Sequence, residues 1–182
     1  MEYRIFLSLE EYCEIDGVLN INPKIVKDNE DEEDYEYERE DIGEIDAYIL
    51  PKTDGTYENV FENVNAISDA AIELLDVFKD KSEAGDIKLD VYKNLFKEVN
   101  CYIDKIEIIE DERRKGYGSK ALDELFKILK GFGVSGVYLI AKSKFIEGDD
   151  LNRFYEEKGF SLVHKNYNDG KLINTFMFKY LD

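Results

Sequence analysis

At 182 residues with a formal net charge of −18, the chain is long enough to bury a full core and too acidic for general nucleic-acid binding, which needs clustered Lys and Arg against phosphates. Its 43% apolar content suits a globular protein, no apolar run is long enough to span a membrane, and the first residues lack the basic start and apolar stretch of a signal peptide. Cys13 and Cys101 stand far apart and form no metal-ligand pattern, so the expectation is two thiols in a reducing cytoplasm and no metal.

In chain order, Tyr3–Leu9 reads as a first strand and Cys13–Ile21 as a second, weakened by Asp16-Gly17. Asp28–Asp41 is an acidic run whose like charges repel, which predicts a solvated loop. Gly43–Leu50 is a strand closed by Pro51 and the Thr53-Asp54-Gly55 turn. Asn65–Lys79 carries Ile67, Ala70, Ala71, Leu74, Leu75 and Phe78 at helical spacing, and Asp90–Val99 has a similar apolar face. Tyr102–Ile109 is a strand and Ser119–Lys130 a helix with Ala121, Leu122, Leu125, Phe126 and Leu129 as its buried stripe, ended by Gly131. The continuous apolar run Val137–Ala141 predicts a strand covered on both faces, so strand, helix and strand make a βαβ unit. Asp149–Lys158 is a short helix, and Phe160–Val163 and Thr175–Leu181 are closing strands joined through Asn168-Asp169-Gly170. No repeat and no Pro- or Ser-rich linker divides the chain, so residues 1–182 are expected to form one domain.

The loop between strand and helix is the feature that needs explaining. Arg113, Arg114 and Lys115 stand before Gly116 and Gly118, and the helix begins near Ser119. Glycines let backbone N–H groups approach a ligand, and a helix start adds free N–H groups and a positive dipole end, a combination suited to an anion. The third Gly of a dinucleotide fingerprint and the Gly-Lys-Ser/Thr of a P-loop are both absent. By itself the loop fits either a phosphate cradle or a plain helix cap.

Arg113-Arg114-Lys115-Gly116-Tyr117-Gly118 resembles the R/Q-x-x-G-x-G/A pyrophosphate loop of the GNAT family, the GCN5-related N-acetyltransferases. Ile106-Glu107-Ile108 resembles the strand that leads into that loop, and the segment from Asn152 to Phe160 resembles the family's later xxFYExxGF motif. The resemblance covers about 102–163 and leaves 1–100 an atypical N-terminal half beside a CoA-binding half, 101–182. It implies an α/β fold: a mixed, mostly antiparallel sheet flanked by helices around the βαβ core. It also implies acetyl transfer from acetyl-CoA, as co-substrate, to a primary amine without a covalent enzyme intermediate. Backbone N–H groups at Arg114, Lys115, Gly116, Tyr117, Gly118 and Ser119 would hold the pyrophosphate, with Arg113 completing the CoA-binding loop. Those of Ile108 and Ile109, on a strand that splays from its neighbour, would pair with the pantetheine arm. Tyr155 would be general acid at the thioester sulfur, although Leu151, Phe154 and Tyr155 share an apolar helix face and a core role fits equally.

An attacking amine must be neutral, so a base is needed, and Glu107 and Glu110 flank the strand end where the thioester would sit. His164 is the single histidine and reads as an exposed residue. The chain departs from the family pattern at Asp149, where an Asn is usual, at Glu110, where a Pro is usual, and in placing its helix pair after the early strands. The acceptor expected is a small-molecule amine or a peptide, with neither nucleic acid nor membrane as partner. The acidic run either steers a cationic acceptor or only keeps the chain solvated. A non-catalytic CoA-binding or interaction module is the competing reading.

Overall fold

The computed structural model describes residues 4–8, 12–15, 17–29, 38–54, 56–65, 67–85, 91, 94–95, 97–142 and 148–181. Nine strands among them form one sheet: β1 (Arg4–Ser8), β2 (Tyr12–Ile15), β3 (Val18–Ile21), β4 (Lys24–Asn29), β5 (Glu38–Leu50), β6 (Asn100–Ile108), β7 (Gly136–Lys142), β8 (Ser161–Asn168) and β9 (Lys171–Tyr180). Helices whose bounds lie among the described residues flank it: α1 (Tyr57–Asn65), α2 (Asp69–Glu83), α3 (Tyr117–Gly131) and α4 (Gly148–Glu157). The strand order is β1-β4-β5-β6-β7-β9-β8, with the β2–β3 hairpin attached to β5 through β3. Every pairing is antiparallel except β6 with β7, which α3 connects.

Each face of the sheet buries its own apolar layer. On one face Tyr117, Ala121, Leu122, Leu125 and Leu129 of α3 and Tyr155 of α4 pack on Ile45, Ala47, Cys101, Ile103, Val137 and Leu139. On the other, Val60 and Val64 of α1 and Ala71, Leu74, Leu75 and Phe78 of α2 pack on Tyr102, Tyr138, Ile140, Phe176 and Phe178. Alternation along the strands sends successive side chains to opposite layers.

Several elements differ from the sequence reading. The second strand is a hairpin, because Gly17 takes the left-handed φ of 82° between β2 and β3. β4 went unread, and the ends of the acidic run are strand: Asp28 and Asn29 close β4 and Glu38–Asp41 open β5, where Lys27 faces Glu40 and Asp28 faces Arg39. Cross-strand charge pairing offsets the repulsion that argued for a loop; residues 30–37 lie outside the described residues. The helix expected from Asn65 starts at Asp69, since the Ser68 hydroxyl accepts from the Ala71 N–H at 3.2 Å as an N-cap, and the chain before it forms α1. Of the helix expected over Asp90–Val99, Val91, Asn94, Leu95 and Lys97 are helical, while residues 90, 92, 93 and 96 lie outside the described residues.

Candidate functional site at the parting of β6 and β7

Strands β6 and β7 are paired only from Asn100–Gly136 to Ile103–Leu139. β6 then runs on to Ile108 and β7 to Lys142, with β7 paired to β9 alone. The strands part where β6 changes parity. Ala47 faces Ile103 and Asp46 faces Lys105, which leaves Asp104 as the extra residue of a β-bulge. The bulge returns Ile106 and Ile108 to the α3 layer and puts the backbone of 104–108 along an open gap. Gly43 makes this geometry accessible, because a side chain there would collide with the Glu107 carbonyl oxygen across the ladder.

The basic loop closes one end of the gap. A 3₁₀ turn, Glu110–Glu112, leads into Arg113. Arg114 and Gly116 both take left-handed φ, 62° and 82°, the type of turn that makes successive N–H groups converge. Gly116 is the N-cap of α3 and supplies no side-chain cap. The first intrahelical bond runs from Lys120 N–H to Gly116 O at 3.2 Å, so the N–H groups of Tyr117, Gly118 and Ser119 have no acceptor among the described residues. A Cβ at Gly116 would meet nothing within 4 Å. At Gly118 it would stand 3.9 Å from both Ile108 Cγ1 and Phe154 Cζ, so Gly118 lines a narrow passage between β6 and α4.

The basic side chains are more committed than their sequence suggests. Arg113 Nε donates to the Ile108 carbonyl at 2.9 Å. Lys115 Nζ lies 3.0 Å from Glu112 Oε1, which also faces Lys27 Nζ at 3.4 Å. Lys115, with a smaller contribution from Lys27, holds the Glu112 carboxyl below the usual carboxylate range, and its Oε2 has no hydrogen-bond partner. Arg114 is exposed beside them, Ile109 is exposed with its N–H donated to Ile42 O, and the Tyr117 ring is buried in the core. The open donors of the loop are therefore backbone groups more than the three cations.

Tyr155 lies on the α4 face toward the sheet, 8% exposed, edge-on to Phe154 and Phe160 at centroid distances of 5.1 and 5.6 Å. Burial pushes its hydroxyl up to about 12, so the phenol stays protonated across the physiological range. Lys158 Nζ holds Asp123 Oδ2 at 2.7 Å and ties α4 to α3. Glu107 is exposed and ion-paired with Lys105 at 2.9 Å, in a ladder that continues through Glu44 to Lys24. Glu110 is exposed in the 3₁₀ turn.

On the α2 side of the gap, the structure assembles residues that sequence reading did not single out. Tyr102 Oη donates to Asp104 Oδ1 at 2.9 Å and shares a hydrogen bond with Ser68. Tyr48 bonds to both Asp46 and Asn20, and burial followed by the nearby Asp104 charge raises the Asp46 carboxyl. The available signal was polar residues at alternate positions within two otherwise apolar strands, Asp46-Tyr48 and Tyr102-Asp104. Cys101 is a buried free thiol whose acidity burial suppresses, and His164 is half-buried and stacked 5.9 Å from Phe176 rather than exposed. Among the described residues no group of three His, Cys, Asp or Glu is placed to hold a metal, and no helix is long and apolar enough to cross a membrane.

Residues 28–160 match the family model described as "Acetyltransferase (GNAT) family". The uncharacterized N-acetyltransferase CgeE of Bacillus subtilis (strain 168) is 34% identical over 70 residues, 37% of this chain and 26% of that protein, so the match spans about a quarter of the relative. The fold is similar to Arabidopsis thaliana NAA60 in complex with acetyl-CoA, with a TM-score of 0.49 and 19% identity over 89% of this chain and 76% of that one. The NatC complex bound to Gag peptide and CoA matches with a TM-score of 0.49 and 12% identity over 88% of this chain and 71% of that chain.

Proposed function

The chain belongs to the acetyltransferase (GNAT) family, and from that premise we propose that it transfers an acetyl group from acetyl-CoA to a primary amine by direct attack. The observation that carries this reading is the continuity of two backbone features. The stretch of β6 from Asp104 to Ile108, paired on its β5 side but not with β7, leads directly to the free N–H groups at the start of α3. The open strand suits an extended pantetheine arm, which needs backbone donors and acceptors along its amides. The helix start suits a pyrophosphate, which needs several convergent donors and space beside Gly116.

In the reaction the amine nitrogen bonds to the thioester carbonyl carbon, the carbon–sulfur bond breaks, and the proton balance moves one hydrogen from nitrogen to sulfur. Tyr155 supplies an O–H that burial keeps neutral, able to donate to charge developing on sulfur. Proton removal from the amine falls to carboxylates along β6 and just after it: Asp104 at the bulge, Glu107 and Glu110.

The test is Tyr155→Phe in a steady-state assay of CoA release with an amine panel. The ring still fills its place in the core. The expected result is kcat lowered roughly tenfold to a thousandfold, with acetyl-CoA affinity by calorimetry unchanged. Full turnover in the variant rules out the acid role, and no turnover in the wild type with any amine or peptide favours a CoA-binding module without chemistry.

A further inference from the structure

Where the α2 face meets the β8–β9 hairpin, three polar side chains from three elements converge. Glu73 Oε1 accepts from Asn166 Nδ2 at 3.2 Å and from Asn174 Nδ2 at 3.5 Å. Asn174 is 6% exposed, and its Oδ1 has no donor among the described residues. A buried carbonyl oxygen without a donor is costly, and the cost disappears when a ligand brings an N–H.

The cluster lies beside the gap. α2 begins at Ser68, which is bonded to Tyr102 of β6, and Glu73, in the second turn, reaches β8 and β9. The start of the helix therefore crosses over the end of β7 that β6 has left. Asn174 faces Lys142 in the β7–β9 register, beyond Leu139, the last β7 residue paired with β6. On the near side of the gap, Asp104 and Asp46 add negative charge to the same face.

Resting on the acetyl-transfer reading, we propose that Glu73, Asn174 and Asn166 hold a second, non-reacting ammonium of the acceptor, so that the substrate is a diamine or longer polyamine. A carboxylate and an amide carbonyl are acceptors, and an ammonium carries three donors. Contact with Glu73 favours the charged form of an amine, whereas the amine that attacks must be neutral. The group at Glu73 is therefore not the attacking one. Position agrees: β9 lies one strand spacing, about 4.8 Å, beyond β7, which separates the held group from the gap by the span of a short diamine.

Calorimetry with the full chain and CoA tests this without requiring turnover. The probes are putrescine, n-butylamine and γ-aminobutyrate, which differ only in the group at the far end. Putrescine is expected to bind about tenfold or more tightly than n-butylamine, the effect of one hydrogen bond to a charged group, and γ-aminobutyrate not at all. Glu73→Gln should erase the difference, and Asn174→Asp should preserve or increase it. Equal binding of the three probes, or a preference unchanged in Glu73→Gln, overturns the proposal. So does absence of putrescine binding. If either variant fails to fold, the comparison of the three probes in the wild type decides. Turnover of n-butylamine without any putrescine preference removes this site and leaves acetyl transfer standing. Glu73-dependent putrescine binding with no amine acetylated does the reverse.

Discussion

The two faces of the gap between β6 and β7 are built in opposite ways. On the α3 face the available polar groups are backbone: a strand edge unpaired toward β7, two left-handed turn residues and the open N–H groups of one helix, all within residues 104–119. On the α2 face they are side chains from β5, β6, β8, β9 and α2, far apart in sequence. A backbone site depends on conformation and tolerates exchange of exposed side chains. A side-chain site depends on identity and changes specificity with single substitutions. The ion pairing of Lys115 and the Arg113–Ile108 bond fit this division, since two of the three loop cations serve the conformation of the loop.

The largest effect is expected where backbone meets backbone. In Gly43→Ala the new methyl collides with the Glu107 carbonyl, and neither group is a flexible side chain that can swing away. Destabilisation of about 3 kcal/mol or more is expected, read as a fall in melting temperature, together with loss of acetyl-CoA binding as β6 shifts. An unchanged melting temperature breaks the claim that close β5–β6 contact shapes the gap.

Next is Gly116→Val. The side chain enters the open space beside the helix start and must adopt a left-handed φ, which costs roughly 1–2 kcal/mol for an L-residue. Acetyl-CoA affinity should fall roughly 100-fold, as for the loss of one or two hydrogen bonds to a charged group. Arg114→Gln should cost far less. Equal losses in the two variants would mean that side-chain charge, not backbone, holds the anion.

The smallest effect belongs to the exposed ladder Lys24–Glu44–Lys105 on β4, β5 and β6. Hydrogen bonds from Lys105 and Lys24 hold the Glu44 carboxyl down at about 2, against an ordinary 4.5. A depressed carboxyl contributes stability above its unfolded value and loses it as pH falls through the folded one. The difference in melting temperature between wild type and Glu44→Gln should therefore be present at neutral pH and close between about 4.5 and about 2. Solvent screening keeps it small. A difference that grows on acidification contradicts the sign.

Much of the α3 face was legible from residues alone. The stripe of Ala121, Leu122, Leu125, Phe126 and Leu129 and the glycines around Tyr117 are local patterns, and helix α3 and its loop follow from local rules. The family resemblance rests on the same stretch together with the later motif from Asn152 to Phe160. Local reading failed where a cap or a partner strand decides. The apolar stripe from Ile67 to Phe78 did not reveal that Ser68 begins a new helix, and the acidic run hid the strand ends that pair Lys27 with Glu40.

By itself, then, the chain determined the βαβ core, the double-glycine loop at a helix start and the layered α/β class, because backbone conformation follows from near neighbours in sequence. Tertiary structure alone decided that Asp104 is a bulge, that Arg113 and Lys115 are engaged within the loop, and that Glu73 meets Asn166 and Asn174. Those facts depend on strand register and on helix placement across the sheet. Register is set by packing of the whole layer, and a shift of one residue would turn the strand side chains Asp104, Asn166 and Asn174 to the other face.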